Sequence, residues 1–174
     1  MWWKRILFTA FISVLATPAT AQIAPPPNYW ARGTELGVTV GGATSTSVSG
    51  PMVALRIGWD ITRRVSIDGR GLWIDQKGKQ DSSNYGAALN GILNLVSKQR
   101  ITPFVGGGFG LYRPTSSNQP AFSGIAGLDI IAVQHWSIRP EVSMLFPRGD
   151  GPHETVFAAG LGISYRFEDH LVTP

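Results

Sequence analysis

Residues 156–167 follow a strict two-residue alternation, and no other feature of this sequence restricts its fold as strongly. Successive side chains of a β-strand point to opposite faces, so such a segment presents two unlike surfaces. One surface is aliphatic and aromatic, with Phe157, Ala159, Leu161, Ile163, Tyr165 and Phe167. The other is small or polar, with Ala158, Gly160, Gly162, Ser164 and Arg166. This pattern predicts a membrane-spanning strand between lipid and the polar interior of a barrel.

The first 21 residues have the pattern of a secretory signal peptide. Two basic residues precede the apolar run from Ile6 to Ala16, and Ala19-Thr20-Ala21 supplies a cleavage site of small residues. The run has eleven residues, whereas a transmembrane helix needs about 20. We therefore expect the chain to be exported, with residues 22–33 forming a periplasmic leader ahead of the folded domain.

The charge and cysteine content exclude two other classes of protein. The net charge of +4 arises from residues scattered along the chain, with no basic run that would follow a nucleic acid backbone. The chain has no cysteine, so it cannot be a disulfide-stabilised exported domain. We therefore predict no nucleic acid partner and a fold that closes by hydrogen bonding alone.

Eight segments alternate in the same way, at residues 34–43, 52–60, 65–75, 85–96, 101–112, 121–133, 136–146 and 156–167. The connections after the second, fourth and sixth segments are short, whereas the others are longer and polar. This asymmetry is typical of an outer-membrane barrel whose termini lie in the periplasm. The predicted fold is all-β, an eight-stranded antiparallel up-and-down transmembrane β-barrel of residues 34–167, followed by a C-terminal tail of residues 168–174.

The aromatic residues fall into two groups along the predicted barrel axis. Near the short turns lie Trp59, Trp136, Tyr165 and Phe167, and toward the long loops lie Trp73, Tyr85, Phe109, Phe122, Phe146 and Phe157. Aromatic side chains concentrate at the two lipid–water boundaries of membrane barrels, so we interpret the groups as two aromatic girdles. Aromatic residues that merely fill strand positions are the alternative.

Two motifs give the chain a family resemblance. The segment Thr102-Pro-Phe-Val-Gly-Gly-Gly-Phe-Gly110 resembles a recurrent strand of the small outer-membrane β-barrel family, the eight-stranded OmpA/OmpX type. Gly162, Tyr165 and Phe167 resemble the C-terminal signal that the barrel-assembly machinery reads in such proteins, although here residues 168–174 follow it. The resemblance implies a location in the bacterial outer membrane and contact with its lipid and lipopolysaccharide. It also implies insertion by the barrel-assembly machinery.

The inward positions of the predicted strands carry four acidic and four basic residues, Glu35, Arg56, Asp68, Arg70, Asp129, Arg139, Glu141 and Arg166. The interior of an eight-stranded barrel is just wide enough for side chains, so opposite charges should pair across it and close it. This interpretation favours a structural or surface-exposed role. The alternative is a small porin-like channel or a transport barrel for small solutes.

Three places in the sequence resemble parts of catalytic sites. His135 and Ser137 resemble the His-x-Ser pair of lipid A deacylase barrels, but the predicted topology puts them at the periplasmic end. Asp81-Ser82 resembles the pair of palmitoyl-transferring barrels, but no histidine lies in the first long loop to act as a base. His153 has only Glu154 beside it, which makes neither a triad nor a metal set. We predict no catalytic residue, no cofactor and no metal.

The fourth long loop contains the tripeptide Arg148-Gly149-Asp150, which is similar to the sequence that integrins read in adhesins. A charged loop in which glycine supplies a turn is the simpler interpretation. The sequence therefore predicts no particular surface ligand.

Overall fold

The computed structural model describes residues 33–46, 49–76, 82–114, 118–133, 135–148 and 154–168. The expected signal peptide, nearly all of the leader and the tail beyond residue 168 lie outside these ranges. The chain forms eight strands: β1 (Gly33–Thr44), β2 (Ser49–Asp60), β3 (Val65–Gln76), β4 (Ser82–Asn94), β5 (Ile101–Arg113), β6 (Gln119–Val133), β7 (Trp136–Pro147) and β8 (Val156–Glu168). None of the described residues belongs to a helix long and apolar enough to cross a membrane.

Each strand pairs antiparallel with its neighbours in sequence, and β8 pairs with β1 to close the barrel. The predicted all-β, up-and-down barrel is therefore confirmed. The strand bounds differ by a few residues, most clearly for β4, which begins at Ser82 and ends at Asn94 rather than spanning 85–96. Leu95 and Val96 lie instead in the connection to β5. We call the end of the barrel with the connections after β2, β4 and β6 the turn end, and the opposite end the loop end. The difference in length between the two ends is smaller than the sequence predicted, because β4 ends early and its connection to β5 has six residues, whereas that from β1 to β2 has four.

The outer face of the strands is apolar along the barrel. Residues of the predicted outward parity are exposed on every strand, including Leu36, Leu55, Ile67, Leu89, Val105, Phe122, Ile138 and Leu161. The inward parity is mostly buried, as the alternating burial of β2 shows. Successive side chains of a strand point to opposite faces. One residue known to face outward therefore fixes the direction of every other side chain on that strand.

The barrel interior, or lumen, has two parts that differ in polarity. Toward the loop end it is filled by an apolar layer of Ala43, Met52, Ala54, Leu72, Ile74, Tyr112, Ala121, Leu145, Val156 and Ala158. Toward the turn end it contains buried acidic and basic side chains, which we call the charged layer. The expectation of a charged interior therefore holds for the turn-end half, whereas the loop-end half is mainly apolar, with Asn84 and Gln119 among its buried residues. Because eight strands leave no room for a water-filled core, apolar packing is favourable in the other half.

The glycines of β5 let the neighbouring strand approach closely. A Cβ at Gly108 would overlap the carbonyl oxygen of Leu89, and one at Gly110 would overlap that of Ala87. Both oxygens belong to β4, which pairs with β5 at these levels. Any side chain at either position would force the two strands apart, so the repeated glycine of the β5 motif serves the closure of the barrel wall.

Candidate functional site

The eight charged residues expected in the lumen all lie on its lining, at the level of the charged layer. Each exposes at most 10% of its side-chain surface. They come from six strands: Glu35 from β1, Arg56 from β2, Asp68 and Arg70 from β3, Asp129 from β6, Arg139 and Glu141 from β7, and Arg166 from β8. The inward parity on these strands brings them together, although they are distant in sequence.

Arg56 bridges two acidic residues. Its Nη2 donates a hydrogen bond to Glu35 Oε1, and its Nη1 donates to Asp68 Oδ2 at 3.2 Å. The two acceptors lie on β1 and β3, on either side of the strand that carries Arg56. One guanidinium therefore ties three adjacent strands together inside the barrel, and its five donors in a planar fork suit two carboxylates at once.

Glu141 is the second centre of the charged layer. Its Oε2 accepts hydrogen bonds from Arg70 Nη2 at 2.8 Å and from Arg139 Nε at 3.2 Å. Its Oε1 accepts a third from the hydroxyl of Thr39 at 3.1 Å. Arg70 lies on β3 and Thr39 on β1, so this carboxylate on β7 makes contacts across the full width of the lumen.

Arg166 completes the layer where the first and last strands meet. Its Nη2 lies 3.5 Å from Glu35 Oε2 and 3.6 Å from Asp129 Oδ2. Arg139 Nη2 lies 3.8 Å from Asp68 Oδ2, which links the groups around Arg56 and Glu141. The eight charges thus form one connected set rather than four separate pairs.

Two further charged residues belong to the layer and were missed in the sequence. Lys98 Nζ, in the turn between β4 and β5, forms an ion pair with Asp60, which also accepts a 2.6 Å hydrogen bond from Ser66. Asp60 has the same parity as Arg56, so the alternation could have revealed it. Lys98 lies in a turn, where no alternation applies. Burial lowers the pKa of Lys98 and the charge of Arg166 lowers it further, while Asp60 opposes both.

The strands β4 and β5 contribute no charge to the lumen and close their side with an aromatic ring. Phe104 packs with Ile92 and Ile125 in a small buried cluster. The guanidinium of Arg139 lies over the Phe104 ring, with Cζ 3.8 Å from its centroid. A desolvated cation over an aromatic face is stabilised by the ring quadrupole. Nothing in the alternation predicts this contact, because it depends on how two side chains on non-adjacent strands meet.

Little empty space remains in the described lumen. A cavity of about 20 Å³ is lined by residues including Arg70, Leu72, Asn90 and Ser143, and another of about 10 Å³ lies among the charges around Asp60. A cavity of about 10–15 Å³ by this measure holds one water molecule. Neither cavity has room for a column of water.

The residues resembling catalytic motifs are placed as follows. Ser137 lies in the lumen, where its hydroxyl is 2.9 Å from that of Ser164. The His135 ring lies 5.7 Å from the ring of Tyr165. Asp81, Gly149, Asp150 and His153 lie outside the described residues, and Ser82 is described only as the first residue of β4. Within the described ranges, no group of three or more residues could hold a metal ion.

Aromatic residues occupy the outer face at both ends of the strands. At the turn end, Trp136 packs edge-on against Tyr165 at 5.0 Å, and Tyr165 against Phe167 at 4.9 Å. Trp59 and Phe167 lie on either side of Thr34 in the strand register. At the loop end Trp73 pairs with Tyr85, and Phe122 with Phe146. Gly162 lies inward on β8, where a Cβ would crowd the hydroxyl of Thr39.

Solved structures with this fold include several outer-membrane proteins. Neisserial surface protein A (NspA) is 11% identical, with a TM-score of 0.62 over 78% of this chain and 96% of that one. The N-terminal β-barrel domain of Pseudomonas aeruginosa OprF is 13% identical, with a TM-score of 0.60 over 79% of this chain and 100% of that one. The outer membrane enzyme PagL is 17% identical, with a TM-score of 0.54 over 75% of this chain and 98% of that one.

These identities are low, so the likeness is one of fold and does not extend to activity. No curated protein sequence matches the chain. Its sequence does match a family described as "Outer membrane protein beta-barrel domain", across residues 7–172. With the closed eight-stranded barrel and its apolar outer face, this match shows that the chain belongs to the outer membrane protein β-barrel family, located in the bacterial outer membrane.

Proposed function

We propose that the protein is a structural or surface-exposed barrel of the outer membrane whose lumen is closed. The observation that carries this proposal is the double filling of the interior, with the charged layer toward the turn end and the apolar layer toward the loop end. A solute crossing the barrel would have to separate buried ion pairs and also displace packed apolar side chains. Hydrophobic constrictions in a pore exclude water and hence ions.

The proposal includes a topology and the roles of the residues at the barrel ends. Residues 1–21 direct export and are removed, residues 22–33 and 168–174 lie in the periplasm, and the loop end faces outward. The shortest connection, residues 134–135, lies at the turn end and the longest, residues 148–155, at the loop end, which supports this orientation. Trp59, Trp136, Tyr165 and Phe167 form one aromatic girdle, and Trp73, Tyr85 and Phe146 form the other. Gly162, Tyr165 and Phe167 present the signal for the barrel-assembly machinery.

A role in transport is the second candidate. It is supported by buried polar atoms of the charged layer that have no hydrogen-bond partner, including Asp129 Oδ1, Arg139 Nη2 and Arg166 Nε. Such atoms give the ion pairs room to exchange partners or to take up a water molecule. This candidate requires the apolar layer to open as well.

We do not assign an enzymatic role. The contact of Ser137 with Ser164 inside the barrel supports this, because a nucleophile must be accessible to a lipid substrate. The fold shared with PagL is no evidence for enzymatic activity, because one fold hosts several functions.

Single-channel conductance in planar bilayers tests the closed lumen. We expect no discrete steps from the wild-type protein once its heat-modifiable migration shows that it is folded. We also expect none from Leu72→Ala/Leu145→Ala or from Arg70→Ala/Glu141→Ala, because each pair of changes leaves the other layer intact. The combination of all four changes should conduct. Reproducible steps from the wild type would instead support the transport role.

Cysteine labelling tests the topology, because the chain has no cysteine of its own and gives no background. Thr46 and Ser97 are exposed at the loop end and the turn end respectively. In whole cells a membrane-impermeant maleimide should label Thr46→Cys and not Ser97→Cys, while both should react after lysis. The reverse pattern would show that the barrel is inserted the other way round.

A further inference from the structure

Two exposed arginines lie close together at the loop end of the outer face. Arg113 is the last residue of β5, and Arg148 directly follows β7. The backbone N–H of Arg148 donates a 2.7 Å hydrogen bond to the carbonyl of Pro120, which holds Arg148 beside β6. Arg148 lies level with Pro120 and Leu111, two residues along β5 from Arg113. With strands about 4.8 Å apart and a rise of about 3.3 Å per residue, the two arginine backbones are about 12 Å apart. Side chains of this length can reach one ligand between them.

Neither arginine has an acidic partner among the residues that the structure describes. In the described ranges, no carboxylate lies within ion-pair distance of either guanidinium, in contrast to the arginines of the charged layer. Both residues are exposed and both continue the outward parity of their strands. They therefore present two unpaired cations at the edge of the apolar surface, where an anionic group outside the barrel can reach them.

An apolar platform lies directly below the two arginines. Leu111 pairs with Pro120, and one level further from the loop end Phe109 pairs with Phe122, which pairs with Phe146. Phe109 is 67% exposed and Phe122 59%, so the rings cover the outer face of the barrel rather than packing into its lumen. Cations above a continuous apolar surface match a ligand with an anionic head and hydrocarbon chains.

Among the described residues, the rest of the loop-end rim lacks this combination. At comparable levels the outer face carries Thr44 on β1, Pro51 on β2 and Ser83 on β4, while β3 carries the acidic Asp75. The described part of the rim therefore concentrates its positive charge on the sector from β5 to β7. A general attraction to membrane surfaces would not require such a concentration in one sector.

We propose that this sector binds lipopolysaccharide, with Arg113 and Arg148 contacting a phosphate of its headgroup and its acyl chains lying over Phe109, Phe122 and Phe146. The guanidinium forms paired hydrogen bonds with phosphate oxygens, which makes arginine well suited to this contact. The inference rests on the proposed topology, because only a loop end that faces outward meets the leaflet in which lipopolysaccharide lies.

The test is a titration of the purified protein in neutral detergent micelles with three lipids. Diphosphorylated lipid A is the probe, and its dephosphorylated form and phosphatidylglycerol are the controls for the phosphate and for general anionic lipid. We expect diphosphorylated lipid A to bind most tightly. Arg113→Gln and Arg148→Gln should each weaken its binding about tenfold, the amount expected for one charge-assisted contact, and the double variant should bind it no better than the dephosphorylated lipid.

Arg64→Gln is the matched control, because Arg64 is an exposed arginine at the turn end. Its lipid A affinity should equal that of the wild type. The inference is overturned if the double variant keeps its affinity, if Arg64→Gln loses as much, or if phosphatidylglycerol binds as tightly as lipid A. Gel mobility before and after heating checks that every variant is folded.

The labelling experiment with Thr46→Cys and Ser97→Cys separates failure of this inference from failure of the proposed function. If the loop end is labelled from outside but the arginine variants bind normally, only the lipopolysaccharide site is refuted. If the turn end is labelled instead, the topology is wrong and lipopolysaccharide cannot be the natural occupant, even where lipid A binds in micelles.

Discussion

Arg139 and Phe104 meet face to face in the lumen, with the guanidinium carbon 3.8 Å from the centre of the ring. The contact joins β7 to β5, two strands that do not pair with one another. On one side of this contact the lumen is lined by ion pairs, and on the other by Phe104, Ile92 and Ile125. The packing of the turn-end half therefore includes a cation–π contact as well as ion pairs.

A double-mutant cycle should detect this contact. We expect Phe104→Leu and Arg139→Met to be coupled by about 2 kcal/mol, because a desolvated cation–π pair is worth about that much. The free energy of unfolding by urea in lipid vesicles measures the coupling. Losses that are simply additive would show that the ring only fills space.

Loss of the carboxylate at position 141 should be among the most destabilising single changes. Glu141→Gln removes the negative charge that neutralises the buried guanidinium groups of Arg70 and Arg139. Breaking a buried ion pair in this way lowers the free energy of unfolding by about 3–5 kcal/mol. Thr39→Val is the matched control, since it removes one neutral donor to the same carboxylate and should cost about 1 kcal/mol. Urea unfolding in vesicles compares the two, and similar losses would mean that Glu141 acts mainly through Thr39.

A charged side chain on the outer face should destabilise the barrel more than a new polar side chain on part of the lumen lining. Leu161→Arg, near the middle of β8 and facing outward, should cost about 2–4 kcal/mol in a bilayer. Ser143→Asn, on the lining of the larger cavity, should cost less because the polar side chains of Arg70, Asn90 and Ser123 line the same cavity. Folding yield into vesicles and urea midpoints provide the measurement. Equal losses would contradict the assignment of the two faces.

Stability should rise with pH in the alkaline range because of Lys98. The pKa of Lys98 in the folded protein is below its ordinary value of 10.5, so between the two values the unfolded chain binds more protons. In that interval, raising the pH favours the folded state, while at lower pH the full penalty of burying the charge remains. Urea midpoints from about pH 8 to about pH 10 should therefore increase, and Lys98→Met should flatten the trend. A wild-type midpoint that falls over this range would contradict it.

The two-residue alternation predicted the strands and their faces because every strand of a closed barrel has the same two environments. The inward positions of Glu35, Arg56 and Arg166 followed directly from it. The apolar layer did not, because residues such as Leu72 and Leu145 lie within runs where both parities are apolar, as in Leu72-Trp73-Ile74. In such runs hydrophobicity no longer distinguishes the inward side from the outward side.

The individual contacts could not be predicted from the sequence for a different reason. Which acid pairs with which arginine depends on strand stagger and on side-chain length across the lumen, and neither leaves a periodic signal. Lys98 shows this most clearly, since its ammonium group reaches Asp60 from a turn. The exposed pair of Arg113 and Arg148 likewise becomes visible only when β5 and β7 are placed on either side of β6.

The fold of this barrel is complete only when β8 pairs with β1. Seven of the eight strand pairings join consecutive strands and can form as local hairpins, whereas this seam joins residues such as Glu35 and Arg166, which are 131 positions apart. The cost of closing so long a segment places the seam late in folding. Until then β1 has an unpaired edge that can pair with a wrong strand or another chain. Arrival of β8 removes that edge and completes the ion pairs of Glu35, so protection from misassembly and completion of the charged layer come in the same step.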